Sequence, residues 1–292
     1  MNKYGFDVLR GFTSRSSLKG TLMLRRFLVD AVKLFIGFVI FSPLLYAIII
    51  SIMPPADIAV YPPKFIPSYI TFEYYKDVMN SFPVFRYIFN TLVSCIVVIF
   101  AQILTSCFAA YAFVFFKFKG REFLFAVILV TMMIPGDTII IANFLTICSL
   151  KLNDTYLALV LPYLVAGMGV FLMRQSFMTV PKELKEAADI DGCGQMRFLF
   201  KILMPISIPS IVALSINTFI GTYNHYLWPL LVTNTANMRT VQIGMSILTT
   251  GEAGKIGDLL AGAVIFLIIP ALIFVIGHKY LVKGLTAGAV KG

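Results

Sequence analysis

Charge is scarce in this chain. Asp, Glu, Lys and Arg together make up 13% of its 292 residues, against about 25% in an ordinary soluble globular domain. With 59% hydrophobic residues and a mean hydropathy of +0.89, too little polar surface remains to cover a water-soluble particle. The composition therefore argues against both a cytosolic enzyme and a disordered chain.

Reactive groups are equally thin. Four cysteines, Cys95, Cys107, Cys148 and Cys193, stand without any C-x-x-C pair, so neither a disulfide framework nor a zinc site is indicated. The two histidines, His225 and His278, fall on opposite sides of the expected membrane and share no metal. A G-x-x-x-x-G-K-[ST] phosphate loop and an H-E-x-x-H helix are both missing, and no nucleophile–base–acid set stands out. No catalytic residue, metal site or cofactor bound by this chain is expected. Gly167-x-Gly169 reads as close helix packing.

Six long apolar stretches are present, at about 31–53, 87–116, 123–148, 156–179, 205–232 and 259–281. Each is long enough to cross a bilayer, which takes ~20 residues. Pro43, Pro135, Pro162, Pro209 and Pro270 lie inside them, so kinks are expected. With the N-terminus inside, eighteen of the 24 Lys and Arg fall on the cytoplasmic side; only Lys64, Lys76, Arg86, Lys151, Arg239 and Lys255 fall outside. This is the asymmetry of the positive-inside rule, and the net charge of +10 reads as topology rather than nucleic-acid binding. The expected fold is an all-α membrane protein of six transmembrane helices. It divides into a cytoplasmic segment 1–30, a membrane domain 31–281 and a cytoplasmic tail 282–292.

The first run begins some 30 residues in and ends at Met53-Pro54-Pro55 without a small-x-small site, so it reads as an uncleaved span and not a signal peptide. The segment before it suits either an amphipathic helix around 22–29 or a disordered tail. An outer loop of roughly 33 residues, rich in Pro and aromatics, follows the first span. It is long enough to pack over a pore mouth or touch an external partner, and equally suited to capping helix ends.

The connection between spans four and five, about 180–205, mixes charged and apolar residues at helical spacing. Pro181 suits a first helical position, and Glu183 and Glu186 lie in the opening turns where the helix dipole favours acids. A helix of about eleven residues is expected, ended by Gly192 and Gly194. A second helix carrying Phe198, Leu199 and Ile202 then runs until Pro205 opens span five. Ala187 and Ala188 flatten one side and Glu183, Glu186, Asp189 and Asp191 ring it with charge, a shape fit to dock in a protein cleft.

Glu186-Ala187-Ala188, with Gly192 six positions after Glu186, Ile202 ten further and Pro205 three beyond, resembles the EAA loop of membrane subunits of bacterial ABC importers. Leucine is usual at Met204 and alanine frequent at Cys193. Asn224-His-Tyr-Leu-Trp228-Pro229, Met133-Ile-Pro135-Gly136 and the C-terminal 284–292 are similar to the second permease subunit of maltose-type and glycerol-3-phosphate-type systems, so the resemblance covers roughly residues 30–292. It implies a carbohydrate permease of the bacterial inner membrane with both termini cytoplasmic. It also implies partners: a second permease, two ATP-binding subunits that hold ATP and Mg, and an extracytoplasmic solute-binding protein. On this resemblance Glu183, Glu186, Ala187, Ala188, Asp191, Gly192, Ile202 and Pro205 couple the chain to the ATPase.

Polar residues within the spans mark candidate contacts for the solute, because each must face protein or water. Asp137 and Asn143 sit near the outer end of span three, as path residues or as structural caps. Asn217, Tyr223, Asn224, Tyr226 and Trp228 crowd the outer half of span five, offering the aromatic faces and amides that hold sugars; the same cluster fits an aromatic interface belt. No Lys or Arg stands mid-span, which leans to a neutral sugar, while glycerol 3-phosphate stays open if the partner supplies the charge. A stand-alone secondary transporter would need more intramembrane acids than Asp137, and an intramembrane enzyme would have only Asp137, His225, Ser207 and Ser210, which are scattered in depth.

Overall fold

The computed structural model of the chain describes residues 6–250 and 256–287, with side chains at 25–136, 138–249 and 256–277. Among the described residues there are helices and no strands. The chain divides into two units, one ending at Phe72 and one beginning at Glu73.

The first unit is built on the helix Phe6–Ser51. Its stretch Arg25–Ser51 is apolar enough to cross a membrane, and Phe27, Leu34, Phe35, Phe38 and Ile40 are exposed along it, as side chains that meet lipid should be. The lead-in around 22–29 is thus the continuation of the first span and not a separate element. Beyond Ser51 the chain is held by Asp57, whose carboxylate accepts from Lys64 Nζ at 2.5 Å, from the Ser68 amide at 2.7 Å and from the Ser68 hydroxyl at 3.0 Å. These bonds, Lys64 first, lower the Asp57 pKa to about 2.

The second unit is organised around Val84–Phe115, a helix of 32 residues with no Gly or Pro in it. Its hydroxyls bond back to its own carbonyls, Thr91 to Tyr87, Ser94 to Asn90 and Thr105 to Ala101, so few polar groups are left for lipid. Two buried amides reach outward from it. Asn90 Nδ2 donates to the carbonyls of Asn237 at 2.8 Å and Arg239 at 2.9 Å, and its Oδ1 accepts from the Tyr156 hydroxyl at 2.7 Å. Gln102 donates to the Tyr163 carbonyl at 2.8 Å and accepts from Thr218 at 2.7 Å. The helices Gly167–Met178, Ile208–Tyr223 and Val241–Thr250 pack against this post. Gly169 permits the first of these contacts, since a Cβ there would fall 2.3 Å from Ser106 Oγ.

Several apolar stretches are broken rather than merely kinked. The run expected as one span at 123–148 is two helices, Arg121–Thr131 and Ile140–Ser149, separated by a turn through Pro135 and a 3-10 segment Gly136–Ile139. Each is about half the ~20 residues a crossing needs. Tyr156–Tyr163 and Gly167–Met178 meet at 51°. The fifth stretch is Ile208–Tyr223 and Leu227–Val232, interrupted at 224–226. Residues taken for outer loop form three further helices: the short Pro55–Ile58, Glu73–Ser81, which packs on Ile256–Ala287, and Val241–Thr250. Among the described residues, three helices are unbroken and apolar enough to cross a membrane, Arg25–Ser51, Val84–Phe115 and Ile256–Gly277. The expected tail is helical to Ala287, and its remainder, like Lys3 and Lys255, lies outside the described residues.

Two outcomes follow. Replacing Asn90 by Ala strands two carbonyls and a tyrosine hydroxyl and should cost about 3 kcal/mol, read as a lower unfolding temperature in detergent, whereas Phe100→Ala, on an exposed site, should change it far less. The Asp57 clamp lowers a carboxylate pKa, so its stabilisation is fully present above the ordinary range near 3.8 and is lost as pH falls through about 2. Hydrogen exchange at the Ser68 amide should therefore be flat from neutral pH down to mild acid once corrected for intrinsic rates, and faster in Asp57→Asn over that range.

Candidate coupling loop and translocation cavity

The segment 180–205 folds as a helix–turn–helix. Pro181 is the residue before the first helix and not its first member, with φ −58 and ψ 136; the helix itself is Lys182–Ile190, nine residues long. Gly192 takes the left-handed conformation at φ +70, and the Cys193 amide closes the end by donating to the Ala188 carbonyl at 2.8 Å. Gly194 is extended and opens Gln195–Phe198 instead of ending the first helix. The chain then widens into a π-helical turn at Leu199–Leu203 and passes through Met204–Ile206. A bend of 79° separates this arm from Ile208–Tyr223, so the span starts at Ile208 and not at Pro205.

The loop is joined to the helices behind it by apolar packing. Ala188, Phe198, Leu199 and Leu203 are buried in one cluster with Tyr111, Met173, Phe177 and Leu214, and Ile202 packs against it. The Tyr111 hydroxyl bonds to Gln195, and Lys185 pairs with Asp189 while lying 5.3 Å from the Phe198 ring centre. The two alanines therefore do not share a face: Ala188 is 6% exposed and faces inward, whereas Ala187 is exposed together with Glu183, Glu186, Ile190 and Asp191. Ile190, 87% exposed, lies four positions after Glu186 and three after Ala187. That spacing was readable in the sequence and marks an apolar tip on the knob. Pro205 is exposed on the connecting arm.

Toward the other end of the same helices, Asn143, Asn224, Tyr226 and Trp228 line one cavity of about 420 Å³ with Tyr163 and His225, a size within the range of small-molecule sites. The Tyr163 and His225 rings lie 4.2 Å apart. Trp228 is buried in the wall of this cavity, and its indole N–H donates to the Ala158 carbonyl at 3.0 Å. Tyr226 meets Ser246 at 3.1 Å, and Asn224 accepts from Gln242 at 3.2 Å. Tyr223 turns away, its hydroxyl donating to the Phe266 carbonyl at 2.6 Å, and lines a second cavity of about 400 Å³. Asn217 is exposed on Ile208–Tyr223. Asp137 belongs to the 3-10 turn whose Gly136 borders the first cavity, and its side chain lies outside the described residues. Asp154 braces this end: its carboxylate accepts from the amides of Asn234 at 2.8 Å and Thr235 at 3.0 Å, and from the Thr235 hydroxyl at 2.7 Å. Desolvation raises its pKa, but the bonds from Thr235 and Asn234 and the charge of Arg239 outweigh it and hold the pKa below the usual range. Tyr163, Gln102 and Asn90 were not singled out by sequence, because a polar residue inside an apolar run does not announce its partner.

Residues 102–287 match the family model described as binding-protein-dependent transport system inner membrane component. The chain is 34% identical to the arabinooligosaccharides transport system permease protein AraQ of Halalkalibacterium halodurans, over 88% of this chain and 94% of the relative. It is also 34% identical to the sn-glycerol-3-phosphate transport system permease protein UgpE of Rhizobium meliloti, over 88% and 95%. In fold it is similar to a chain of a bacterial ABC transporter involved in the import of the acidic polysaccharide alginate, with a TM-score of 0.76 and 22% identity over 87% of this chain and 95% of that one.

Gly192 isolates the corner. An added Cβ there meets nothing within 4 Å, so substitution acts through backbone conformation alone. Gly192→Val should cost about 1–2 kcal/mol and speed hydrogen exchange at the Cys193 amide, while Gly192→Asn, which tolerates positive φ, should leave exchange near that of the parent chain.

Proposed function

Because the chain belongs to the family of binding-protein-dependent transport system inner membrane components, we propose that it is the permease subunit of an ATP-driven importer of a sugar or oligosaccharide, forming half of the passage. It is a multi-pass membrane protein. The reading carries six crossings, some broken, and both termini in the cytoplasm, as the distribution of Lys and Arg supports. Its partners are a second permease, two ATP-binding subunits and an extracytoplasmic solute-binding protein. The chain is itself non-catalytic, with ATP and Mg held by the ATP-binding subunits.

One observation carries the coupling role. The exposed face Glu183, Glu186, Ala187 and Ile190 belongs to a short helix whose opposite side, through Ala188, is packed into the same cluster as Phe198, Met173 and Leu214. A partner that closes on the knob therefore moves the helices behind it, because a close-packed cluster transmits displacement. Glu186 is the residue placed for a charge-assisted bond to a basic group of the ATPase, and Ile190 for the apolar centre of that contact. Closure of the ATPases opens the cavity outward, and hydrolysis resets it inward.

The amide and aromatic lining of the 420 Å³ cavity includes no Lys or Arg, which supports a neutral sugar as solute. The AraQ relative is named for arabino-oligosaccharides. Glycerol 3-phosphate, for which the UgpE relative is named, is the second reading; it requires the other permease to supply the cation.

Affinity purification of the tagged chain from gently solubilised membranes, read by mass spectrometry, should recover an ATP-binding subunit and a second permease. Ile190→Asp should lower recovery of the ATP-binding subunit about thirty-fold, the loss expected of a central contact, while leaving the second permease attached. Uptake of solute by the purified chain alone would overturn the assignment.

A further inference from the structure

A cavity of about 930 Å³ opens beside the loop, where the apolar helix Val84–Phe115 gives way to the basic segment Lys117-Phe-Lys-Gly-Arg121. Its lining has two characters. Phe118, Phe123 and Met178 are apolar and exposed at it. Five cations, Lys117, Arg121, Arg174, Lys182 and Lys185, face only two carboxylates, those of Glu122 and Glu186.

The pairing within the cavity leaves positive charge over. Glu122 is divided between Arg121 Nη2 at 2.9 Å and Arg174 Nη2 at 3.3 Å, and Lys185 is engaged by Asp189. Among the described residues, Lys117 and Lys182 form no ion pair. Arg174 is the most enclosed of the five, its side chain 13% exposed and its guanidinium 4.0 Å from the Phe125 ring centre. Its Nε is buried without a hydrogen-bond partner, and among the described residues its one ion pair is with the carboxylate of Glu122 that Arg121 shares.

We propose that this cavity binds an anionic phospholipid, with the phosphodiester met by Lys117, Arg174 and Lys182 and the acyl chains lying along Phe118, Phe123 and Met178. Two observations favour a lipid over an acidic stretch of protein. The site lies at the boundary between apolar and basic sequence, where headgroups reside, and the exposed aromatic residues beside the cations call for an amphiphile rather than a charged surface. The assignment to the cytoplasmic leaflet rests on the orientation proposed above. Because Arg174 belongs to Gly167–Met178 and Lys182 to Lys182–Ile190, a lipid held by both favours the arrangement that keeps the loop beside its span.

The test uses the full chain, purified with whatever partners accompany it. Phosphatidylglycerol retained after mild detergent extraction is counted by native mass spectrometry, and thermal unfolding is followed in phosphatidylcholine vesicles with and without about one-fifth phosphatidylglycerol. The parent chain should retain phosphatidylglycerol and melt higher in its presence. The double variant Lys117→Gln, Lys182→Gln should retain it about thirty-fold less tightly, each basic residue beside an anionic headgroup being worth about five-fold. Lys117→Arg with Lys182→Arg should restore retention, which separates lost charge from misfolding.

Equal retention by parent and double variant would overturn the proposal. So would a melting shift reproduced by inorganic phosphate alone, which would mark a free-anion site, or shielding of Lys117 and Lys182 from acylation only when an ATP-binding subunit is bound, which would mark a protein interface. Lipid retention is read on the chain whether or not an ATP-binding subunit co-purifies, so loss of that partner would sink the transport reading and leave the lipid result standing.

Discussion

Lipid offers no hydrogen bonds, and the structure from Glu73 onward is arranged around that constraint. One long helix without Gly or Pro, Val84–Phe115, satisfies its own backbone and the hydroxyls of Thr91, Ser94 and Thr105. It then uses two buried amides, Asn90 and Gln102, to satisfy carbonyls where neighbouring segments leave the α-helix and to bond the hydroxyls of Tyr156 and Thr218 on two packed helices. Non-helical backbone at membrane depth is tolerated only where protein or a cavity supplies partners. Gln102 meets the Tyr163 carbonyl where the fourth stretch bends, and Asn90 meets the carbonyls of Asn237 and Arg239 just before Val241–Thr250. The unbroken helix is therefore the condition for the broken ones.

The breaks, in turn, make the cavity. Gly136, Tyr163 and Asn224–Tyr226 are three places where apolar stretches leave the α-helix, and all three border the same 420 Å³ space. Polar side chains collect there because the backbone turns and frees them to point at one another. Asp154, by taking two amides and a hydroxyl of Asn234 and Thr235, holds the chain beyond Leu227–Val232 so that Trp228 stays as wall.

How much of this was legible beforehand depends on whether a feature is local. Apolar runs are sums over neighbouring residues, and they marked the apolar helices without showing where those helices break or what they pack against. The loop at 180–205 was legible for the same reason, since Glu183, Glu186 and Gly192 act within a few residues of one another. Three things were not. Ala187 and Ala188 were assigned one face because small side chains carry no direction, and only the cluster around Phe198 and Met173 shows that Ala188 turns inward. The hydrogen bonds that orient Trp228 and Tyr223 could not be read, because their partners, Ala158 and Phe266, are 70 and 43 residues away. Val241–Thr250 lies between two apolar stretches and is too short to register as a crossing, so its contact with Tyr87 and Thr91 could not be read.

The two ends of this fold are connected by one rigid element. Ile208–Tyr223 begins at the bend that carries the loop arm and ends at the break that lines the cavity; its 16 residues span about 24 Å at 1.5 Å each. At its lower end Leu214 is packed into the cluster that holds Ala188 and Phe198. At its upper end Thr218 is bonded to Gln102, and Tyr223 to Phe266. Toward the loop it is held by apolar packing alone, and from Thr218 onward also by hydrogen bonds, which have direction and break at a cost of about 1 kcal/mol or more each. A displacement entering at the loop is thus resisted least near the loop and most near Gln102. The helix pivots more readily than it translates, and a pivot about Thr218 swings Asn224 and Tyr226 at one end against Ile208 at the other.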